Sequence, residues 1–215
     1  MAELDLTNIS PNSIATPASG VTAAFVSSVS KTPMHKIDTG AIQGQLSNQS
    51  VSTPGAGFAS DTYLVGSSIA VPNGFFRVGS TYRLTFDVTK TAAGTATPII
   101  TVRIGTAGSV ADAAILAFTF GAGTAAADTG RVDILAVFRT VGGGTSAVMQ
   151  GMAQIAHHLA ATGLTSTGAS GMGIVLVTSS GFDSTTPSSV IGASVNGGAS
   201  AAWTITLVRA ELVNI

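Results

Sequence analysis

The chain has no cysteine and very few charged side chains. Its 215 residues include 9 Lys+Arg and 10 Asp+Glu, which gives a net charge of −1. Without cysteine there are no disulfide bonds, thiolate metal sites or cysteine nucleophiles. A nearly neutral chain also lacks the basic surface that attracts nucleic acid or an anionic membrane, so we expect neither as a partner.

Segments that would direct the chain to a membrane are not visible. The first five residues include two acids and no apolar run follows them, so we expect synthesis in a cytoplasm. The most apolar tract, residues 113–127, is shorter than a membrane span and is interrupted by Thr and Gly. We therefore expect no membrane-spanning segment.

Patterns that carry chemistry are missing as well. His157 and His158 are adjacent, so in a strand they point to opposite faces and cannot bind one ion together. The acidic residues stand singly beside Gly, Ser or Thr, where an Asp ordinarily hydrogen-bonds its own turn. The glycine run at 142–145 has no Lys and no helix after it, so it predicts a hairpin loop. We predict no catalytic residue, no metal and no cofactor.

The dominant pattern is alternation of apolar and polar residues. Over 81–89, Tyr82, Leu84, Phe86 and Val88 share one face, which indicates a strand buried on one side. Eight such runs are separated by glycine-rich turns: 63–71, 81–89, 99–104, 114–120, 131–139, 147–159, 172–178 and 202–212. They predict an all-β fold, a jelly-roll-like antiparallel β-sandwich with an extended N-terminal arm.

Two stretches leave the assignment open. Residues 147–159 fit a helix face as well as a strand, and the all-β context with Gly151 favours a strand. Residues 178–202 are glycine-rich and predict a long loop. We expect Trp203 in the core near a sheet end, as is usual for a large aromatic.

Residues 1–52 differ from the sandwich domain predicted for 53–215. Prolines and glycines break this segment into short pieces, and only 23–29 and 34–37 are strand-like. We interpret it as an anchoring arm, and the alternative is an extra hairpin or edge strand of the same domain. Residues 47–60 are typical of a Ser/Gly/Pro linker.

Several segments resemble structural proteins of tailed bacteriophages. Residues 16–26 and 36–40 resemble a phrase of tail and minor structural proteins, in which a Pro-x-x-Gly turn leads into a strand. Residues 79–86, 90–96 and 102–106 are similar to β-sandwich modules of tail, fibre and head-appendage proteins. The resemblance implies a non-enzymatic virion component, with no catalytic residue to carry over.

Low charge and small side chains suit a subunit that packs against its own copies. We therefore predict a homotrimeric appendage or decoration protein of the virion, a tail fibre, a neck or head fibre, or a capsid surface protein. Its arm would bind other virion proteins, with Phe25, Val26, Lys36 and Asp38 as contacts. The alternative is a carbohydrate-binding module for host surface glycans. Phe75 and Phe76 are candidates for a glycan or subunit contact, with core packing the competing interpretation.

Overall fold

The computed structural model describes residues 8–9, 13–27, 33–36, 42–50, 55–71, 76–159, 162–166, 172–198 and 203–215. All the regular elements longer than a single turn in these residues are strands. The strands are β1 (Asn8–Ile9), β2 (Ala23–Ser27), β3 (Pro33–Lys36), β4 (Ile42–Ser50), β5 (Gly55–Gly57), β6 (Thr62–Tyr63), β7 (Ile69–Ala70), β8 (Thr81–Lys90), β9 (Ile99–Gly105), β10 (Ala113–Thr119), β11 (Asp128–Thr140), β12 (Val148–His157), β13 (Met172–Thr178), β14 (Val190–Asn196), β15 (Trp203–Ile205) and β16 (Val208–Val213).

These strands form two sheets. The larger runs in the order β1-β2-β3-β4-β16-β8-β11-β12-β13, with β15 and β5 paired beside β8. The smaller runs β10-β9-β14-β6, and β7 also pairs with β14. Apart from β1, which is parallel to β2, the pairings are antiparallel. The predicted all-β sandwich is confirmed. No helix in the described ranges is long and apolar enough to cross a bilayer.

The core lies between the two sheets, where the alternating side chains meet. Tyr82, Leu84, Phe86 and Val88 of β8 are buried, as the period of two predicts. They belong to one cluster with the inward residues of the smaller sheet, which include Ile100, Val102, Leu116, Phe118, Ile191 and Val195. Trp203 is also buried, in β15, where it pairs with Lys90 at the end of β8. Its predicted position in the core near a sheet end is confirmed.

Strand predictions agree with the structure in most of the sandwich. Residues 147–159 contain strand β12, so the strand assignment is confirmed over a helix. The predicted strands at 63–71 and 202–212 each divide into two, since a turn at Val65–Gly66 and a break at 206–207 interrupt them. Between β11 and β12, Gly142 and Gly144 have positive φ values of 150° and 65°, as a tight hairpin loop requires.

Two predicted loops contain strands. The linker predicted for 47–60 is wrong at both ends, since residues 47–50 belong to β4 and 55–57 form β5. The loop predicted for 178–202 contains β14, a central strand of the smaller sheet. The predicted domain boundary between residues 52 and 53 lies outside the described residues. The strands before this boundary, β1 to β4, belong to the larger sheet and continue it on the side of β16 away from β8.

A polar layer covers the outside of the smaller sheet. Arg103 forms an ion pair with Asp61, and its guanidinium is largely buried. Tyr63 lies against β14 at Gly192, where an added Cβ would come within 2.0 Å of the tyrosine hydroxyl. Burial, aided by the negative charge of Asp112, raises the pKa of Tyr63 to about 12. Glycine at 192 is therefore what allows this aromatic ring to lie over the strand.

Candidate functional site

The outward face of the larger sheet is the broadest surface that the fold builds. We call it the outer face. From β4 through β16, β8, β11 and β12 to β13, the strand register aligns three rows of side chains. The rows are Gln49, Arg209, Thr85, Asp133, Gln154 and Ile174; then Ser47, Glu211, Arg83, Leu135, Met152 and Leu176; then Gln45, Val213, Thr81, Val137, Gln150 and Thr178. The first two rows change from polar at β4 to apolar at β13, where they end in Ile174 and Leu176.

The apolar end of the outer face is exposed. Leu135, Met152 and Leu176 are neighbours across three strands, with exposed fractions of 38%, 37% and 67%. Ile174, one row away on β13, is 52% exposed. We call these four residues the apolar strip. Contiguous exposed aliphatic side chains of this kind mark surfaces at which proteins associate.

The strip adjoins an open side of the sandwich. Strand β13 ends the larger sheet, and β10, which ends the smaller sheet, packs beneath β12 and β13. Neither β10 nor β13 contains a charged residue or a proline. Strand β10 has a bulge between Ala114 and Leu116, but β13 pairs with β12 without one. An edge without a partner strand among the described residues accepts another strand readily when it lacks charge, proline and bulges, which are the usual protection.

The polar end of the outer face forms a groove with a volume of about 510 Å³. It lies over β16 and β8, and we call it the arginine groove. Its lining residues are Gln49, Arg83, Thr85, Arg131, Leu207, Val208, Arg209 and Glu211. A cavity of this size is within the range of pockets that bind small ligands.

Two of the three arginines in the groove have acidic partners. Arg131 donates from Nη2 to the Asp133 carboxylate at 2.8 Å, and Arg209 donates from Nη2 to Glu211 Oε1 at 2.5 Å. Arg83 lies between these pairs and forms no hydrogen bond or ion pair with the described residues. Among the described residues, the groove therefore contains one guanidinium, that of Arg83, without a hydrogen bond to a carboxylate.

Asp87 positions the rim of the groove at the break between β15 and β16. Its carboxylate accepts backbone hydrogen bonds from Thr206 at 2.8 Å and from Leu207 at 2.6 Å, as well as one from the Thr206 hydroxyl. Burial acts to raise the pKa of Asp87, but these hydrogen bonds outweigh it and hold the pKa below its ordinary value. The carboxylate thus fixes the chain where Leu207 enters the groove.

Of the two predicted contact aromatics, Phe76 does not lie on the outer face. Phe76 is 9% exposed, and its ring stacks on Phe138 with centroids 4.4 Å apart. This agrees with the competing interpretation, core packing, and leaves no free ring face for a sugar. Phe75 lies outside the described residues.

The predicted arm contacts lie on β2 and β3. Phe25 is 2% exposed and pairs in register with Met34, whereas Val26 is half-buried. Lys36 Nζ donates to the backbone carbonyl of Ile14 at 2.6 Å, which ties β3 to the segment before β2. Asp38 lies outside the described residues. The structure thus places Phe25 in the core cluster and Lys36 in a contact within the arm.

Sequence reasoning missed a buried charged cluster at the start of β11. Asp128 and His157 are fully buried, with Nδ1 of His157 2.7 Å from Oδ2 of Asp128. Lys90 Nζ nearby donates to three backbone carbonyls, those of Thr91, Thr124 and Ala126. The predicted hairpin around residues 142–145 could have indicated this cluster. When its two strands pair, Gly130 lies opposite His157, which brings Asp128 close to the histidine.

The fold and these surfaces define the chain as an all-β sandwich with an open edge and a polar groove. No protein-family model and no curated protein matches it. A solved structure, the CBM2 module of the evolved Dit of Lactobacillus casei BL23 phage J-1, is 13% identical, with a TM-score of 0.29. The alignment covers 80% of this chain and 91% of the module. At that TM-score, nothing is carried from the module to this chain.

Proposed function

We propose that this protein is a non-enzymatic structural component of a bacteriophage virion that associates with its own copies. The observation that supports the proposal is the open side of the sandwich, where the uncharged edge strand β13 borders the apolar strip. Such an edge exposes backbone groups and aliphatic side chains together, and both are satisfied when a second strand pairs with it. The phage assignment rests on the sequence resemblance.

A second copy of the chain suits this surface better than an unrelated partner. Two β13 strands that pair edge to edge bring no charges together, so they do not repel. Leu176 of one copy then lies near the apolar residues of the other copy's β13, and the two apolar strips become continuous. Contacts between identical surfaces are the usual way in which symmetric assemblies are built.

The opposite end of the larger sheet is free for a different role. Strands β1, β2 and β3 extend the sheet at the end far from β13, so binding there leaves the open side accessible. We propose that this arm anchors the subunit to another virion protein and that the sandwich is displayed outward. We also propose the homotrimer expected for an appendage. It needs a further contact between two different surfaces of the chain, because pairing of β13 with its own copy joins subunits two at a time.

Light scattering during size-exclusion chromatography tests the self-association. We expect the parent protein to have a mass that is a multiple of 21.2 kDa. Leu176→Lys places a charge in the strip and should weaken association at least about tenfold, a change of about 1.4 kcal/mol. Val65→Lys is the matched control, since Val65 is 58% exposed and lies in a turn beside the smaller sheet.

The outcomes separate the alternatives. A parent protein that stays at 21.2 kDa over a concentration series refutes self-association. Equal loss of assembly in the Leu176→Lys and Val65→Lys variants places the interface elsewhere. Electron microscopy of intact phage particles, with the protein tagged, then tests the virion assignment directly. Particles that contain no tagged subunit contradict it.

A second candidate function is recognition of host surface glycans, and the arginine groove favours it. The groove combines amide, hydroxyl and guanidinium groups in a concave site, and these are the groups that hydrogen-bond sugar hydroxyls. A glycan array tests this function. Binding that Gln49→Ala weakens would support the groove as the site, and an array without any bound glycan would remove the candidate.

A further inference from the structure

We propose that the arginine groove binds an acidic saccharide, and that Arg83 contacts its carboxylate or phosphate group. The inference rests on the second candidate function, glycan recognition, and adds the chemical class of the ligand. Its basis is the unequal pairing of the three guanidinium groups in the groove.

Hydrogen bonds to carboxylates are made by every guanidinium of the groove except that of Arg83. Arg131 donates to Asp133 from both Nε and Nη2, and Arg209 donates to Glu211. Thr85 also donates to Asp133, at 2.8 Å, so that carboxylate is held towards Arg131. Arg83 is exposed and has no hydrogen-bond partner in the described part of the chain. An anionic ligand would complete the pattern.

The fork of a guanidinium matches a carboxylate or a phosphate ester. Two parallel N–H donors can bond two oxygens of one anionic group, and such paired, charge-assisted bonds are about twice as strong as neutral ones. Arg83 is exposed and lies opposite Glu211 in register, yet Glu211 is turned along its strand to Arg209. Arg83 can therefore accept a ligand without first breaking an ion pair.

Neighbouring groups suit the hydroxyls of a sugar ring. Gln49, whose side-chain amide has no hydrogen-bond partner in the described residues, offers both a donor and an acceptor. Glu211 can accept a hydrogen bond from a sugar hydroxyl while it keeps its hydrogen bond from Arg209. Leu207, which is 50% exposed, supplies an apolar surface for the ring carbons. A simple anion would use Arg83 alone, so these groups favour a polyhydroxylated ligand.

Edge-to-edge association leaves this site open. In the larger sheet β8, which carries Arg83, is separated from β13 by β11 and β12. Three strand spacings of about 4.8 Å place the site roughly 14 Å from the edge. A ligand can thus bind on the outer face while the open side is occupied by a second copy.

Titration calorimetry with the purified protein tests the inference. The probes are glucuronic acid, glucose 6-phosphate, glucose and inorganic phosphate. We expect one or both sugar acids to bind and glucose and inorganic phosphate to bind at least tenfold more weakly. Arg83→Gln should reduce the affinity for the acid at least tenfold. Arg139→Gln is the matched control, because Arg139 lies on the same face but donates to Gln150 at 2.5 Å, and it should change affinity less than twofold.

Each other outcome overturns the inference in a distinct way. Equal binding of glucose and glucuronic acid removes the role of charge but leaves glycan recognition intact. Inorganic phosphate that binds as tightly as glucose 6-phosphate means a simple anion site. If neither sugar acid binds, the groove is not a site for acidic sugars, and the glycan array decides separately whether any glycan is recognised. Light scattering of Arg83→Gln should match the parent, since the residue lies away from the open side.

Discussion

Asp128→Asn should destabilise the fold by removing a carboxylate that four groups share. Oδ2 lies 2.7 Å from His157 Nδ1 and accepts the Leu164 N–H at 3.0 Å. Oδ1 accepts the N–H of Thr129 at 2.8 Å and that of Leu159 at 3.3 Å. Asparagine has one oxygen. In its less costly orientation the NH2 faces His157, whose Nδ1 can act as an acceptor, and the buried Leu164 N–H is left without one.

The expected magnitude follows from the donor left unpaired. A buried donor without an acceptor costs about 1–3 kcal/mol, so at least this much stability is lost. For a chain of this size each kcal/mol lowers Tm by about 2–4 °C, which predicts a fall of roughly 2–12 °C. Differential scanning calorimetry measures it. Asp183→Asn is the control, because Asp183 is exposed and its hydrogen bonds, to Thr185 and to the backbone of Gly144, lie at the surface.

The effect of Asp128→Asn should depend on pH. Burial acts to raise the pKa of Asp128, but hydrogen bonds from the Leu164 N–H, from His157 and from the Thr129 N–H outweigh it and lower the pKa. The stability that the carboxylate contributes is therefore complete above about pH 4, its unfolded-state pKa, and is lost as pH falls through the folded-state pKa. Asparagine does not titrate, so the Tm difference should narrow below about pH 4.

Two results would refute this reasoning. One is an Asp128→Asn protein that melts within about 2 °C of the parent at neutral pH. So small a fall in Tm corresponds to less free energy than one buried donor without an acceptor costs. The other is a Tm difference that stays constant, or widens, as the solution is made acidic. A loss of the same size in Asp183→Asn would show that removing any acid destabilises the chain.

Two further substitutions test the packing of the sandwich. Gly192→Ala should lower the free energy of unfolding by about 1–3 kcal/mol in denaturant titrations, because the new Cβ must displace the Tyr63 hydroxyl. Gly143→Ala, whose Cβ would meet its nearest atom at 3.5 Å, should change little, and equal losses in both would refute the steric reason. Phe76→Ala should cost about 3–5 kcal/mol through loss of its stack on Phe138, and a variant as stable as the parent would contradict core packing.

The strands of the sandwich were predictable from the sequence where one face of the strand is buried and the other is exposed to solvent. Strand β8 shows this best, because Tyr82 and Phe86 face the core while Arg83 and Thr85 face outward. Strand β14 escaped prediction because its outward residues are also buried. Gly192 and Ser194 lie under Tyr63 and Arg103, and such small residues are as typical of a glycine-rich loop as of the outward face of a strand.

The candidate site was less predictable, because it depends on which strands become neighbours. The outward residues of β8, β11 and β16 were visible as polar positions. Their alignment into the arginine groove requires β16 to pair with β8, across more than 110 residues of chain. The apolar strip was hidden for the same reason: Leu135, Met152 and Leu176 form a surface only once three strands are in register. Phe76, in contrast, had a competing interpretation in the sequence that the structure supports.

Hydrogen–deuterium exchange in β13 tests the central claim most directly. In a separate subunit, the backbone N–H groups of an edge strand that point away from the neighbouring strand exchange rapidly with solvent. The same N–H groups are protected when they pair with a second copy. The account predicts strong protection of Met172–Thr178 in the assembled parent protein and its loss in Leu176→Lys, with the buried strand β8 unchanged in both. Rapid exchange of β13 in an assembled parent protein, or equal protection in the two proteins, would contradict it.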